Sequence, residues 1–138
     1  MKSLARVNEI KKESGSAVKI PFSKRAFGYI RLPMNGDPGG QYSLENQTDK
    51  IRDWALAHGM DIVRVFVDIC NMETPRRERE GLMELSQSIK PGDTMLMISI
   101  DRLVYSPQDY NSVYVDCKSR GLRIVGVNDA LDTGNSVN

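Results

Sequence analysis

Charged side chains of both signs stand where predicted β-strands end. They are Arg31, Asp68, Asp101 and Arg102. Because the carboxyl ends of parallel strands meet at one edge of a sheet, we expect these side chains to converge. Guanidinium groups bind phosphate or carboxylate oxygens through paired N–H groups. The pattern therefore predicts either a pocket for an anion or an ion-pair network of Arg31, Asp68 and Asp101 that only stabilises the fold.

The elements that would position these residues alternate along the chain. Apolar and β-branched content predicts strands over residues 26–32, 61–67, 94–100 and 122–127. Apolar residues at helical spacing predict helices over 43–58 and 78–89, and a third from Ser106-Pro107 to Gly121. Strands separated by such helices need crossover connections. We expect an α/β fold with a mainly parallel central sheet flanked by helices on both faces.

Local signals mark the boundaries of these elements. Ser43 is a good helix N-cap, and Gly59 supplies a left-handed stop. The Gly/Pro-rich stretch 34–40 predicts a mobile loop after the first strand. Tyr110 and Tyr114 lie on the apolar face of the third helix, which favours a core role over a stacking surface.

Composition narrows the class of protein. The chain has 138 residues, 40% hydrophobic and 27% charged, as expected for one soluble globular domain. No apolar run has the length of a membrane helix, so we expect a cytoplasmic protein without membrane contact. Cys70, Cys117 and His58 lack ligand spacing, so no zinc site, disulfide or cofactor is expected.

Charge divides the chain into an arm and a domain. Residues 1–25 hold seven basic and two acidic side chains, a net of +5, although the whole chain carries only +1. We predict a basic, partly flexible arm over 1–25 with a short helix over Leu4–Lys12, an α/β domain over 26–132 and a disordered tail over 133–138. Residues from Asn128 onward are predicted to be unstructured. The arm is either a solvated leader or a contact for phosphate or an acidic partner.

Five short motifs occur in one order along the chain. They are Tyr29-Ile30-Arg31, Ser43-Leu44-Glu45-Asn46-Gln47, Phe66-Val67-Asp68, Arg79-Glu80-Gly81-Leu82, and Pro91-Gly92-Asp93 followed by Asp101-Arg102-Leu103. With these motifs, the chain from Phe27 to Asp132 resembles the catalytic domain of the serine recombinases, the resolvase/invertase family. The resemblance implies the predicted fold and a site acting on DNA phosphodiesters.

The resemblance also assigns roles to individual residues. In the family, a serine two residues after the first-strand arginine attacks a DNA phosphodiester, and strand exchange follows in a tetramer. By position, Arg31, Arg79 and Arg102 resemble the family's arginine cluster. Asp68 and Asp101 resemble its carboxylate partners, and Gln47 a polar contact near the nucleophile.

Two positions depart from the family pattern. Pro33 stands where the serine is expected, and Tyr105 stands where an arginine is expected three residues after Arg102. Proline offers no nucleophile, and tyrosine offers no guanidinium fork. We expect no catalytic residues and a vestigial pocket formed by Arg31, Gln47, Asp68, Arg79, Asp101 and Arg102.

A degenerate site of this kind predicts a binding or regulatory role. We expect a catalytically inactive module on a phage or mobile element, for example an antirepressor-type regulator. Its partner would be a protein such as a repressor or a recombinase, with weak DNA binding by this domain alone and possible homo-oligomers. The alternatives are an active or accessory recombinase with a relocated nucleophile, Tyr105 being one candidate, and a DNA-binding structural subunit that uses the arm. The chain also ends before the long helix and DNA-binding region that follow in the family, which fits either a fragment or a protein without that module.

Overall fold

A computed structural model describes residues 22–134 of the chain. The predicted helix over Leu4–Lys12 and the end of the predicted tail, residues 135–138, lie outside the described residues. The strands are β1 Arg25–Leu32, β2 Asp61–Ile69, β3 Thr94–Met97, β4 Arg123–Gly126 and β5 Leu131–Asp132. The α-helices are α1 Leu44–Ala57, α2 Glu80–Ser88 and α3 Pro107–Ser119, and 3₁₀ turns cover Arg76–Glu78 and Ile100–Arg102.

The five strands form one sheet in the order β2-β1-β3-β4-β5. The first four run parallel, and β5 pairs antiparallel with β4. The helix α1 packs on one face, where Ile51 and Ala55 meet Ile30 and Leu96. The helices α2 and α3 pack on the other face against a larger cluster that contains Phe27 and Met97. The prediction of a mainly parallel sheet between helices is confirmed.

Capping explains where the helices begin and end. The Ser43 hydroxyl accepts a hydrogen bond from the Asn46 N–H at 3.2 Å, so the predicted N-cap of α1 is confirmed. Ser106 accepts from the Asp109 N–H in the same way, and Pro107 occupies the first turn of α3. Gly59 ends the α1 turn with a φ of 65°.

Three predicted boundaries are wrong. The strand predicted over 94–100 ends at Met97, because Ile100–Arg102 turns into a 3₁₀ helix. The second strand extends to Ile69, which places Asp68 inside it rather than after it. The second helix begins at Glu80 rather than Glu78, because Arg76–Glu78 forms a separate 3₁₀ turn.

The segment after Asn128 is also more ordered than predicted. Leu131–Asp132 forms β5, and the Thr133 hydroxyl accepts a hydrogen bond from the Ile124 N–H at 2.8 Å. Arg123 binds Asp132 through two hydrogen bonds of 2.9 and 2.7 Å. These contacts hold the segment up to Gly134 against β4. The expectation of an unstructured tail is therefore wrong for residues 128–134.

Candidate functional site

The Arg31 side chain lies buried at the carboxyl end of β1. Its guanidinium donates to three backbone carbonyls: those of Arg102 at 3.2 Å, Cys70 at 3.0 Å and Asp101 at 3.1 Å. Burial of the side chain is nearly complete. Arg31 therefore ties the end of β1 to the loop after β2 and to the 3₁₀ turn after β3.

Arg79 performs a similar task at the start of α2. Its guanidinium donates to the carbonyls of Thr74 at 3.0 Å, Met72 at 3.0 Å and Arg102 at 2.9 Å. The side chain is buried, so the loop between β2 and α2 folds around it. The Arg102 carbonyl thus accepts from both Arg31 and Arg79, which brings two guanidiniums to one oxygen.

Arg102 completes the cluster from the 3₁₀ turn. It donates through Nη1 to the Arg31 carbonyl at 3.2 Å and through Nε to the Asp101 carboxylate at 3.2 Å. Its guanidinium also lies 4.0 Å from the centre of the Tyr42 ring, a cation–π contact. The structure therefore brings together the three arginines that the sequence singled out, and an aromatic ring covers one of them.

Electrostatics in the cluster follow from burial and like charge. The pKa of Arg31 is lowered by burial and then by the positive charges of Arg102 and Arg79. Burial alone would raise the pKa of Asp101, but hydrogen bonds from Ser99 and Arg102 and the charge of Arg102 outweigh it and lower the pKa. The cluster thus gathers more positive than negative charge around the ends of β1 and β3.

Asp68 serves α2 rather than an arginine. Its carboxylate accepts from the backbone N–H groups of Gly81 at 2.7 Å and Leu82 at 2.9 Å, the orphan donors of the first turn. The Tyr29 hydroxyl also donates to it at 2.9 Å. Burial and the charge of Asp68 together raise the pKa of Tyr29 well above its usual range. Asp68 therefore caps the amino end of α2 from β2, since the N-cap residue Arg79 makes no side-chain capping bond.

This cap explains the glycine in Arg79-Glu80-Gly81-Leu82. A Cβ on Gly81 would come within 2.8 Å of the Val67 carbonyl and 3.1 Å of the Asp68 carboxylate. Backbone and a buried carboxylate cannot move aside cheaply, so the first turn of α2 needs glycine to approach β2.

The alternative of an Arg31–Asp68–Asp101 ion-pair network is wrong. Across residues 22–134, the donors of Arg31 go to backbone carbonyls, and Asp68 is engaged by Tyr29 and α2. The carboxylate that pairs within the cluster is Asp101, with Arg102. The sequence could not predict the partners of Arg31, because every residue has a backbone carbonyl and the residue type does not indicate which carbonyl accepts.

Gln47 fixes the loop that follows β1. Its side chain is fully buried, and Nε2 donates to the carbonyls of Arg31 at 3.0 Å and Tyr42 at 2.7 Å. No partner is found for its Oε1 among the described residues. One amide thereby holds both ends of the segment 33–42 together.

Pro33 and Tyr105, the two positions where the sequence predicts a departure from the family pattern, lie in the segments that follow β1 and the 3₁₀ turn Ile100–Arg102. Pro33 opens a turn in which its carbonyl accepts from the Gly36 N–H at 2.8 Å. The Tyr105 side chain is 57% exposed, and its backbone N–H donates to Asp109 at 3.2 Å. Neither residue adds a side-chain hydrogen bond to the arginine cluster within the described part of the chain.

An ion pair that the sequence did not reveal borders the cluster. Arg76 binds the Asp109 carboxylate at 2.6 Å and links the loop before α2 to the first turn of α3. The spacing of residue types along one helix or strand cannot predict an ion pair between side chains of two different elements.

The described residues contain neither a metal-binding group nor a membrane-spanning helix. Among residues 22–134, no three histidine, cysteine, aspartate or glutamate side chains are grouped to hold a metal ion. In the same range, no helix has both the length and the apolar character needed to cross a bilayer.

The molecule is an α/β domain with a mainly parallel sheet, crossover helices and a cluster of arginines at the carboxyl edge of the sheet. Comparison with known proteins identifies the family to which this domain belongs. The family described as Resolvase, N terminal domain matches residues 26–137, so the chain belongs to that family. The resemblance drawn from the sequence motifs is confirmed.

Particular relatives lie at low identity. Serine recombinase gin of Escherichia phage Mu is 26% identical over 106 residues, which cover 77% of this chain and 48% of that protein. Serine recombinase gin of Escherichia phage D108 is also 26% identical, with 47% of its length covered. The chain spans about half the length of the curated relatives it matches.

Solved structures share the fold. The N-terminal catalytic domain of TP901-1 integrase matches with a TM-score of 0.69 and 19% identity, covering 81% of this chain and 84% of that one. A resolvase family site-specific recombinase from Streptococcus pneumoniae matches with a TM-score of 0.65 and 19% identity, covering 81% and 77%. The confirmed fold is that of a serine recombinase catalytic domain.

Proposed function

We propose that this chain is a serine-recombinase-like domain that forms no covalent link to DNA and acts as a binding module for a protein. The observation that carries the proposal is that the guanidinium groups of Arg31 and Arg79 are already hydrogen-bonded within the domain. Nε, Nη1 and Nη2 of both Arg31 and Arg79 already donate to backbone carbonyls. A guanidinium has five N–H groups, so about two remain on each, one per terminal nitrogen. The arginines hold loops together instead of presenting a free fork to phosphate.

The hydroxyl groups around the cluster support the same conclusion. Pro33 supplies none at the expected position. The Tyr29 hydroxyl donates to a buried carboxylate and has a raised pKa, which disfavours the phenolate that would attack phosphorus. Ser99 donates to Asp101 at 2.6 Å, and Ser43 caps α1. Each of these side chains already has a structural task.

Exposed apolar residues at the same edge favour a protein partner. Four exposed apolar side chains at this edge form what we call the apolar rim. Met34 follows β1, Ile69 ends β2, Met72 lies in the loop after β2, and Tyr105 follows the 3₁₀ turn Ile100–Arg102. A surface that closes on DNA is rich in lysine and arginine, because each phosphate contact releases a counterion. An apolar rim suits a protein surface such as that of a repressor or another recombinase subunit.

An assay for a covalent adduct tests the loss of chemistry. The chain is incubated with supercoiled plasmid carrying candidate sites, denatured, and examined for protein-linked DNA, with Serine recombinase gin of phage Mu as the positive control. We expect no adduct from this chain. An adduct would overturn the proposal, and its loss in Tyr105→Phe would then identify a relocated nucleophile.

A second assay tests the binding role. Proteins of the native host are captured on the immobilised chain, identified, and then tested as purified partners. We expect Ile69→Asp to weaken binding at least tenfold, because the rim loses apolar contact and gains a charge to desolvate. Val115→Asp on α3, an equally exposed apolar position elsewhere, is the matched control and should change nothing. Equal effects from both variants would place the binding surface elsewhere.

A further inference from the structure

The β2 strand forms one edge of the sheet. It pairs with β1 on one side, and no strand within residues 22–134 pairs with its other side. An edge strand presents N–H and C=O groups that another strand can bind. Proteins usually protect such an edge with a bulge, with charged side chains or with a covering segment.

Protection of this kind is found only in the amino half of β2. The register with β1 shifts at Val63, which has no partner residue there and forms a bulge. The Arg64 guanidinium lies 4.4 Å from the Phe66 ring centre and 3.8 Å from the Glu84 carboxylate, so its charge is held on the α2 side. From Val65 to Ile69 the register is regular and the strand exposes no charged side chain.

The backbone of this carboxyl half points away from the sheet at every second residue. In a parallel ladder, the N–H and C=O groups of one residue face one neighbouring strand, and those of the next residue face the other side. The Cys70 N–H donates to the Leu32 carbonyl of β1 at 3.1 Å. Counting back from Cys70, the N–H and C=O groups of Val65, Val67 and Ile69 therefore point outward.

The side chains of the same three residues form an apolar row on the α1 face. A Cβ on Gly28 of β1 would lie 2.8 Å from the Ile51 side chain and 3.1 Å from that of Val65, which places α1 above β1 with Val65 beside it. Val67 and Ile69 follow on the same face, 40% and 61% exposed. A strand added outside β2 would meet three donors, three acceptors and this row.

We infer that the protein partner proposed above binds by adding an extended segment to the outer edge of β2, along Val65, Val67 and Ile69. The inference rests on the proposed function and names how the partner is recognised. Hydrogen bonds to the backbone would supply affinity, and alternate apolar side chains of the segment would pack on the row. Ile69, a member of the apolar rim, is then covered by the partner itself.

Charges on α1 define the segment further. Arg52 and Trp54 are about 160° apart around the helix, and the Trp54 ring lies 5.5 Å from the Arg123 guanidinium of β4. Arg52 therefore lies on the flank of α1 towards β2, as does Glu45 about two turns earlier. Both are exposed, and neither has an ion-pair partner among residues 22–134. We expect the segment to place an acidic residue near Arg52 and a basic residue near Glu45.

Amide hydrogen exchange in the full chain tests the inference. The probe is a synthetic peptide with threonines on one face and, on the other, valines flanked by one glutamate and one lysine. We expect the peptide to slow exchange at Val65, Val67 and Ile69 by about tenfold or more. The same peptide with methylated backbone nitrogens lacks every donor and is the matched control, which should slow none of them.

Two variants locate the contact. Val67→Pro removes an outward N–H that β1 does not use, and proline is tolerated at such edge positions. We expect it to abolish peptide binding while the β1 amides stay protected; if it fails to fold, the methylated peptide provides the comparison. Arg52→Glu should weaken binding of the peptide, and replacing the peptide's glutamate by lysine should restore it.

Several outcomes would overturn the inference. Exchange that the peptide leaves unchanged, or that the methylated peptide slows equally, excludes strand addition. Amides that already exchange slowly without peptide show that this chain covers its own edge, or that a second copy does if dilution removes the protection. None of these results concerns the covalent adduct or the effect of Ile69→Asp on the purified partner, so the proposed function stands or fails separately.

Discussion

The two ends of the central sheet hold their arginines in different ways. At the amino end, Arg25 binds the Asp93 carboxylate at 3.1 Å, and Arg123 binds Asp132 at 2.7 Å. At the carboxyl end, Arg31 and Arg79 make six hydrogen bonds to five backbone carbonyls, because they share that of Arg102. A carboxylate neutralises its arginine locally, whereas a carbonyl contributes only a partial charge. The amino end is electrostatically balanced, and the carboxyl end keeps excess positive charge.

The difference shows what Arg31 and Arg79 do in the fold. Carbonyl-bound guanidiniums fix the backbone of the segments after β1, β2 and β3 relative to one another. That structural role does not depend on catalysis. The burial and hydrogen bonds of these arginines are therefore accounted for by the positioning of loops and do not by themselves indicate a catalytic site.

The largest expected effect comes from removing a carbonyl-bound arginine. Arg79→Ala leaves the carbonyls of Thr74 and Met72 without their donor, while the Arg102 carbonyl keeps its hydrogen bond from Arg31. A buried acceptor without a partner costs about 1–3 kcal/mol. We expect a loss of about 3 kcal/mol in the free energy of unfolding, since part of the loop stays hydrated. Urea denaturation measures it.

Arg79→Lys separates charge from geometry at the same position. Lysine keeps the charge, but one ammonium cannot replace a planar fork that reaches three carbonyls, so we expect a loss of roughly 2 kcal/mol. Arg77→Ala, at an exposed neighbour, is the control and should change stability by less than about 0.5 kcal/mol. A lysine variant as stable as the wild type would show that charge alone matters.

The sequence predicted the scaffold of this site well. Strands joined by crossover helices were predicted to run parallel, which placed Arg31, Asp101 and Arg102 at one edge of the sheet. The structure brings these three residues together at that edge. Helical spacing located α1 and α3 to within about one residue at their starts. These features follow from periodicity and capping, which are local properties of the chain.

What the sequence did not predict depends on contacts between segments. The partners of Arg31 are carbonyls of residues roughly 40 and 70 positions away, and every residue has a carbonyl. A two-residue strand such as β5 is too short for a period of two to be visible. The 3₁₀ turn at Ile100–Arg102 breaks an apolar run that read as one strand, because composition does not distinguish the two.

The amino end should respond to pH through Asp132. Burial alone would raise the pKa of this carboxyl, but the hydrogen bonds and charge of Arg123 outweigh it and lower the pKa. The carboxylate therefore stabilises the fold above its unfolded pKa of about 3.9, and this contribution is lost as pH falls through the lower folded pKa.

Replacing Asp132 measures that contribution. We expect Asp132→Asn to cost about 1–2 kcal/mol at pH 7, since it weakens two charge-assisted hydrogen bonds to Arg123. The difference from the wild type should shrink below about pH 4, when the wild-type carboxyl is protonated too. Thermal unfolding across pH follows it, with Asp49→Asn on the exposed surface of α1 as the control. A difference that stays constant down to acid pH would assign the effect to shape rather than charge.

The smallest effect is expected at the other arginine of the amino end. Arg25→Ala removes an ion pair whose arginine side chain is 45% exposed, and such pairs contribute about 0–1 kcal/mol. Asp93 keeps hydrogen bonds from the Ser23 hydroxyl at 3.0 Å and the Lys90 N–H at 2.9 Å, so the carboxylate is not orphaned. Urea denaturation at low and high salt should show a small loss that salt reduces further. A loss as large as that of Arg79→Ala would break the contrast between the two ends, because a carboxylate-bound and a carbonyl-bound arginine would then matter equally to the fold.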